Sequence, residues 1–131
     1  MAESLIEVKS FDFALQAINL YKLMQSQREY VLSNQFLRSA TSIGANVSEA
    51  SAAQSRDDFK SKMSIASKEA RETKYWLRLL HRSKLCDVDF SQALSDIEEI
   101  IRLLTAIVKT TTQNSKLKTQ NSSEGGGRKN G

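Results

Sequence analysis

Apolar positions recur at steps of three and four from about residue 11 to residue 108, the spacing that lines one face of an α-helix. Phe11, Ala14, Ile18 and Tyr21 form a first stripe, widened by Leu15, Leu20, Leu23 and Met24, and predict a helix over about 11–25 with Ser10 as its N-cap. Ser26-Gln-Arg-Glu29 has the S-x-x-E form of a capping box and marks a fresh start. Leu32, Phe36, Ala40, Ile43, Val47 and Ala50 then predict a second helix over about 27–52. Its phase runs unbroken through SATSIGANVSEASAAQS, residues 39–55, a stretch without Leu, Phe, Met, Lys or Arg that composition alone would assign to a linker. Ser55-Arg-Asp-Asp58 is again cap-like, with acids in the first turn where the helix dipole favours them. Phe59, Met63, Ala66, Ala70, Thr73, Leu77 and Leu80 follow as a heptad seam and predict a third helix over about 56–83. Residues 83–89 break the pattern. A fourth helix is expected over about 90–111, with Phe90, Leu94, Ile97, Ile101, Leu104 and Val108 on its apolar face.

Four amphipathic helices with short connections predict an all-α, antiparallel up-down-up-down four-helix bundle over residues 1–112. Residues 113–131 are polar and low in complexity and read as a flexible, basic tail carrying Lys116, Lys118, Arg128 and Lys129. Composition agrees: 131 residues suit one domain with a modest core, and there is no proline and, before residue 125, only Gly44 among the glycines. The N-terminus lacks a basic-then-apolar leader pattern and no apolar run is long enough to span a bilayer, so a cytoplasmic protein is expected. The lone Cys86 excludes an internal disulfide and a multi-cysteine zinc site.

Helix two is built from small side chains, among them Ala40, Ser42, Gly44, Ala45, Ser48, Ala52 and Ala53. Small residues let a neighbouring backbone come close, and a mid-helix glycine costs about 1 kcal/mol relative to alanine, which packing must offset. Asn46 and Glu49 are polar exceptions, read as structural. The segment Arg38-Ser-Ala-Thr-Ser-Ile-Gly-Ala-Asn-Val-Ser-Glu-Ala50, with Phe59–Ala66 and Glu69–Leu77 after it, resembles the bacterial four-helix-bundle proteins encoded within intervening sequences of 23S rRNA genes. The specific part is an RxxxSIxANxxEA-type motif, here Arg38, Gly44, Asn46 and Glu49, and the resemblance extends over roughly Phe11 to Val108. Gly44 stands where that family often has proline, and Ala50 where glycine is common. The bundle is also distantly similar to accessory proteins of diversity-generating retroelements, which work beside a reverse transcriptase on RNA. The family resemblance implies a homo-oligomeric ring, most often of five subunits, with a poorly defined biochemical role.

Helix three separates into faces when wound at about 100° per residue. Arg56, Lys60, Arg71, Lys74, Arg78 and Arg82 lie on one flank of the core seam, a candidate phosphate-binding stripe. Ile65, Trp76 and Leu79 lie on the other, interleaved with acids, and read as a candidate oligomer interface. Catalytic chemistry finds no support. The only histidine, His81, has Arg78 three residues before it where a di-metal bundle needs glutamate, and no phosphate loop or nucleophile–base signature is present. No catalytic residue, metal ligand or cofactor is therefore expected. Two readings remain. One is a non-enzymatic oligomer associating with nucleic acid, RNA first, through helix three; the other is a structural adaptor binding a protein partner such as a reverse transcriptase.

Overall fold

The computed structural model describes residues 3–130, with side chains through residue 114. Four helices follow one another: α1 (Leu5–Ser26), α2 (Val31–Ser51), α3 (Arg56–Ser83) and α4 (Ser91–Asn130). No strand occurs among the described residues. Each helix packs on its neighbour in sequence and α4 closes back on α1. Cross-helix pairs fix the directions. Ser10 approaches Gly44 while Gln25 bonds Ser33; Glu49 pairs with Lys62 while Arg38 pairs with Glu72; Lys74 pairs with Glu98 while Arg71 bonds Thr105. In each case one residue number rises as the other falls, so successive helices are antiparallel, as the heptad reading expects. At one end Gln27 clamps two connections together: its side chain accepts from the Asp87 N–H at 2.6 Å and donates to the Asp87 carbonyl at 2.7 Å.

The seams of α2 and α3 are buried as the periodicity predicts. Phe36, Ala40, Ile43, Val47 and Ala50 face Met63, Ala66, Ala70, Thr73, Leu77 and Leu80. The small-residue stretch is helix through Ser51, and residues 52–55 form the connection to α3. Ser55 caps α3 by accepting from the Asp58 N–H at 3.0 Å. On α4 the buried line is Phe90, Ala93, Ile97, Ile100 and Leu104, with Leu94, Ile101 and Val108 half-buried beside it.

Helix α1 departs from its expected start and register. It begins at Leu5, where Ser4 and Glu7 form a reciprocal capping box, so Ser10 is not a cap. Ser10 is instead a core residue whose hydroxyl donates to the Glu7 carbonyl at 3.2 Å. The buried face is Ile6, Ser10, Phe13, Ala17, Leu20 and Met24, while Phe11, Leu15, Ile18 and Leu23 are exposed. The helix is apolar nearly all round, and its true seam is disguised by Ser10, which is affordable in the core because its proton is satisfied within its own helix.

The box expected at Ser26–Glu29 does not form either. Helix α1 runs on through Ser26, whose hydroxyl donates to the Leu23 carbonyl, and the chain turns at Arg28 with a left-handed φ of 65°. Glu29 then caps α2 itself, its carboxylate accepting from the N–H groups of Leu32 at 2.9 Å and Ser33 at 2.6 Å. Helix α4 continues as helix past the point where a tail was expected to begin, with no proline to stop it. The basic side chains assigned to that tail lie outside the described residues.

Candidate nucleic-acid interface

The exposed outer surface of α3, on the side that turns toward α4, carries Arg71, Arg78 and Arg82. The heptad seam dictates this placement. With Ala70, Thr73 and Leu77 committed to the core, Arg71, Lys74 and Arg78 one position later project onto the α4-side flank, and Arg82 follows Arg78 one turn further on. The Arg71 guanidinium donates to the Thr105 hydroxyl of α4 at 3.2 Å, which holds the side chain without neutralising it. Among the described residues Arg71, Arg78 and Arg82 form no ion pair.

Lys74 differs. Its ammonium lies 2.6 Å from the Glu98 carboxylate, an acid contributed by α4 that the sequence of α3 does not reveal. The hydrogen bond from Lys74 holds the Glu98 carboxyl below its ordinary value, against the opposing effect of burial, and the charges of Lys74, Arg102 and Arg78 add to it. Glu98 thus stays ionised and cancels one positive charge in the stripe. Arg102, exposed on α4, lies close enough to act on Glu98 and adds a cation from a second helix. Reading α3 alone misses Arg102, because helix adjacency is needed to find it.

Arg56 and Lys60 sit apart from this cluster. Fifteen residues of helix put Arg56 about 22 Å from Arg71 along the axis, and Arg56 lines a shallow hollow with Phe59, Thr111 and Asn114. The six-residue stripe is therefore two groups, of which the one around Arg71, Arg78 and Arg82 is the denser.

The opposite flank of α3 faces α2 and is knit by ions. Arg38 of α2 pairs with Glu69 at 3.5 Å and with Glu72, and Glu72 also accepts from the Trp76 indole N–H at 3.2 Å. Trp76 is half-buried and packs against the core, whereas Ile65 and Leu79 are 38% and 37% exposed. Glu49 pairs with Lys62 at 2.9 Å, and the Asn46 amide donates to the Ser42 carbonyl of the preceding turn at 2.8 Å. Arg38 and Glu49 of the helix-two motif thus tie α2 to α3, while Asn46 bonds within α2. Gly44 lies against α1, where an added Cβ would sit 3.4 Å from the Ser10 carbonyl oxygen.

Larger apolar exposure lies on α1. Leu5, Phe11 and Leu15 are 59%, 62% and 49% exposed, with Val8 and Ile18 on the same side. Of these, Val8 and Phe11 line a groove of about 490 Å³ between α1 and α2, together with Thr41, Gly44, Ala45 and Ser48 and the acids Glu3, Glu7 and Asp12. Between α1 and α4 a second hollow gathers Asp12, Asp96 and Glu99 around Lys9, whose pKa the Glu99 hydrogen bond raises. Acidic charge therefore collects beside α1 and basic charge along α3. No group of side chains suited to holding a metal occurs among the described residues, and no described helix is long and apolar enough to cross a membrane. Cys86 is buried, and desolvation pushes its thiol above the ordinary value.

An antiparallel four-helix bundle with a motif-bearing second helix salt-bridged to a basic third helix defines the class. The chain belongs to the 23S rRNA-intervening sequence protein family, which it matches over residues 3–106. It is similar to a crystal structure of a protein of unknown function from the S23 ribosomal protein family of Bacteroides thetaiotaomicron VPI-5482. The two are 48% identical with a TM-score of 0.75, over 80% of this chain and 99% of that one. No curated protein matches the chain.

Proposed function

We propose that this protein is a non-enzymatic, cytoplasmic bundle that associates with nucleic acid, RNA foremost, through the arginines on the outer face of α3. The observation that carries the reading is the exposure of Arg71, Arg78 and Arg82 on one stripe, without ion-pair partners among the described residues, while Arg38, Lys62 and Lys74 are paired. Unpaired guanidinium groups release counterions from phosphates at little desolvation cost, and a stripe of them binds a phosphate backbone irrespective of sequence. The family's reference to 23S rRNA intervening sequences supports RNA over DNA as the first ligand to try.

Fluorescence anisotropy with labelled RNA and DNA at low salt checks this. The double substitution Arg78→Glu and Arg82→Glu weakens binding to all sequences about equally. Negligible binding by both wild type and variant contradicts the reading.

A second reading, an adaptor or self-associating bundle, draws on the exposed apolar face of α1 beside the small-residue groove. The two are compatible, because contacts through α1 and α2 leave the α3–α4 face open. Self-association into a closed oligomer would repeat the arginine stripe and multiply weak phosphate contacts.

A further inference from the structure

Tyr75 stands in the arginine stripe and is 55% exposed. Lys68, Arg71, Tyr75, Arg78 and Arg82 follow at steps of three, four, three and four, and all five are exposed. At about 100° per residue they fall within roughly 80° of arc, so the ring lies among the cations and not on a separate face. Arg71 and Arg78 flank Tyr75 at about 6 Å and 4.5 Å along the helix axis.

The ring is also held. Its centroid is 5.2 Å from that of Trp76 at an interplanar angle of 69°, an edge-to-face contact. Trp76 in turn is packed on the core and fixed by its indole bond to Glu72. A perpendicular contact cannot cover both faces of the tyrosine, and more than half of the residue remains in solvent. The rings packed in the core seam, Phe36 and Phe90, are by contrast fully buried.

Resting on the phosphate-binding reading above, we infer that Tyr75 is a stacking platform for an unpaired base and that the α3 stripe selects single-stranded over duplex nucleic acid. Guanidinium groups on both sides hold the backbone of a strand while the exposed ring takes a base face. Every base offers such a face, whereas in a duplex it is already stacked. A base–ring stack needs no 2′-hydroxyl, so the loss on removing the ring is the same for an RNA and a DNA strand.

The probes are labelled oligouridine, labelled oligothymidine and an RNA duplex of the same length, titrated against the full chain. Tyr75→Ala weakens binding to both single strands by about fivefold or more, the span that one base–aromatic stack represents, and leaves duplex binding unchanged. Tyr75→Phe keeps the wild-type affinity. Tyr75→Leu, which retains apolar bulk without a π face, loses as much as Tyr75→Ala. Circular dichroism confirms that each variant is folded. Wild-type affinity in Tyr75→Ala, together with loss in the Arg78→Glu, Arg82→Glu variant, overturns the stacking inference and leaves the phosphate reading intact. An equal loss on strand and duplex also overturns it. Absence of binding by the wild type to every probe overturns the phosphate reading itself.

Discussion

A methyl group added at Gly44 would meet the Ser10 carbonyl oxygen at 3.4 Å and its hydroxyl at 3.7 Å, ordinary van der Waals distances. The approach of α1 to α2 is close there, but the space admits alanine. Gly44→Ala is therefore expected to be neutral or to raise stability by up to about 1 kcal/mol, the propensity that glycine forfeits in a helix interior. Urea denaturation measures it, and a loss above about 1 kcal/mol would mean that α1 and α2 sit closer than described. Buried hydroxyls follow the same local logic. Thr73 lies 2.9 Å from Ser39 and 2.7 Å from the Glu69 carbonyl, so a polar pair crosses the α2–α3 core with no described buried side-chain polar atom left unsatisfied. Such satisfied serines and threonines are what a hydrophobicity pattern cannot see. Ser10 hid the α1 seam for this reason, whereas Thr73 did not hide the α3 seam, because six apolar positions frame it.

The connection between α1 and α2 shows how an element starts without a conventional cap. Tyr30 occupies the N-cap of α2 and makes no side-chain bond, so the two N–H groups at the helix start depend on Glu29. Glu29→Ala removes both acceptors and is expected to cost about 1–2 kcal/mol. Glu29→Gln retains one amide oxygen and recovers part of it. Chemical denaturation of the two variants reads the difference. Helices α2 and α3 were legible in the sequence because their phase is clean and Ser55 announces the boundary. Their neighbours were less so. The chain leaves α1 and α3 through Arg28 and Lys84, both left-handed with φ of 65° and 53°, and neither is the glycine that ordinarily signals a helix stop. The apolar excess on α1 offered two registers, and only packing chose between them.

For the molecule as a whole, charge and apolar exposure are segregated by helix. Acids gather between α1 and α4, apolar side chains lie on the outside of α1, and arginines with no ion pair among the described residues lie on α3. If α1 is the self-association surface, Phe11→Glu reduces the oligomer seen by multi-angle light scattering while leaving helicity intact, since Phe11 is 62% exposed. Trp76 is the poorer probe, because a charge there enters the core. A monomeric wild type at micromolar concentration contradicts self-association. The basic stripe was legible from α3 alone, but its net charge was not, because Glu98 and Arg102 arrive from α4 and only the folded neighbour shows that Lys74 is neutralised. That neutralisation sets the salt dependence of binding. With Arg71, Arg78, Arg82 and at most one further cation, Lys68 or Arg102, engaged, and about 0.7 counterions released per contact on a single strand, log K against log salt has a slope of about −2 to −3 per protomer. Titrating oligouridine binding over salt for wild type, the Lys74→Ala, Glu98→Ala double variant and Arg78→Ala isolates the stripe. The expected result is that slope in the wild type, the same slope when the Lys74–Glu98 pair is removed together, and a slope shallower by about 0.7 in Arg78→Ala. A wild-type slope near zero, or an Arg78→Ala slope indistinguishable from it, would contradict phosphate binding through α3.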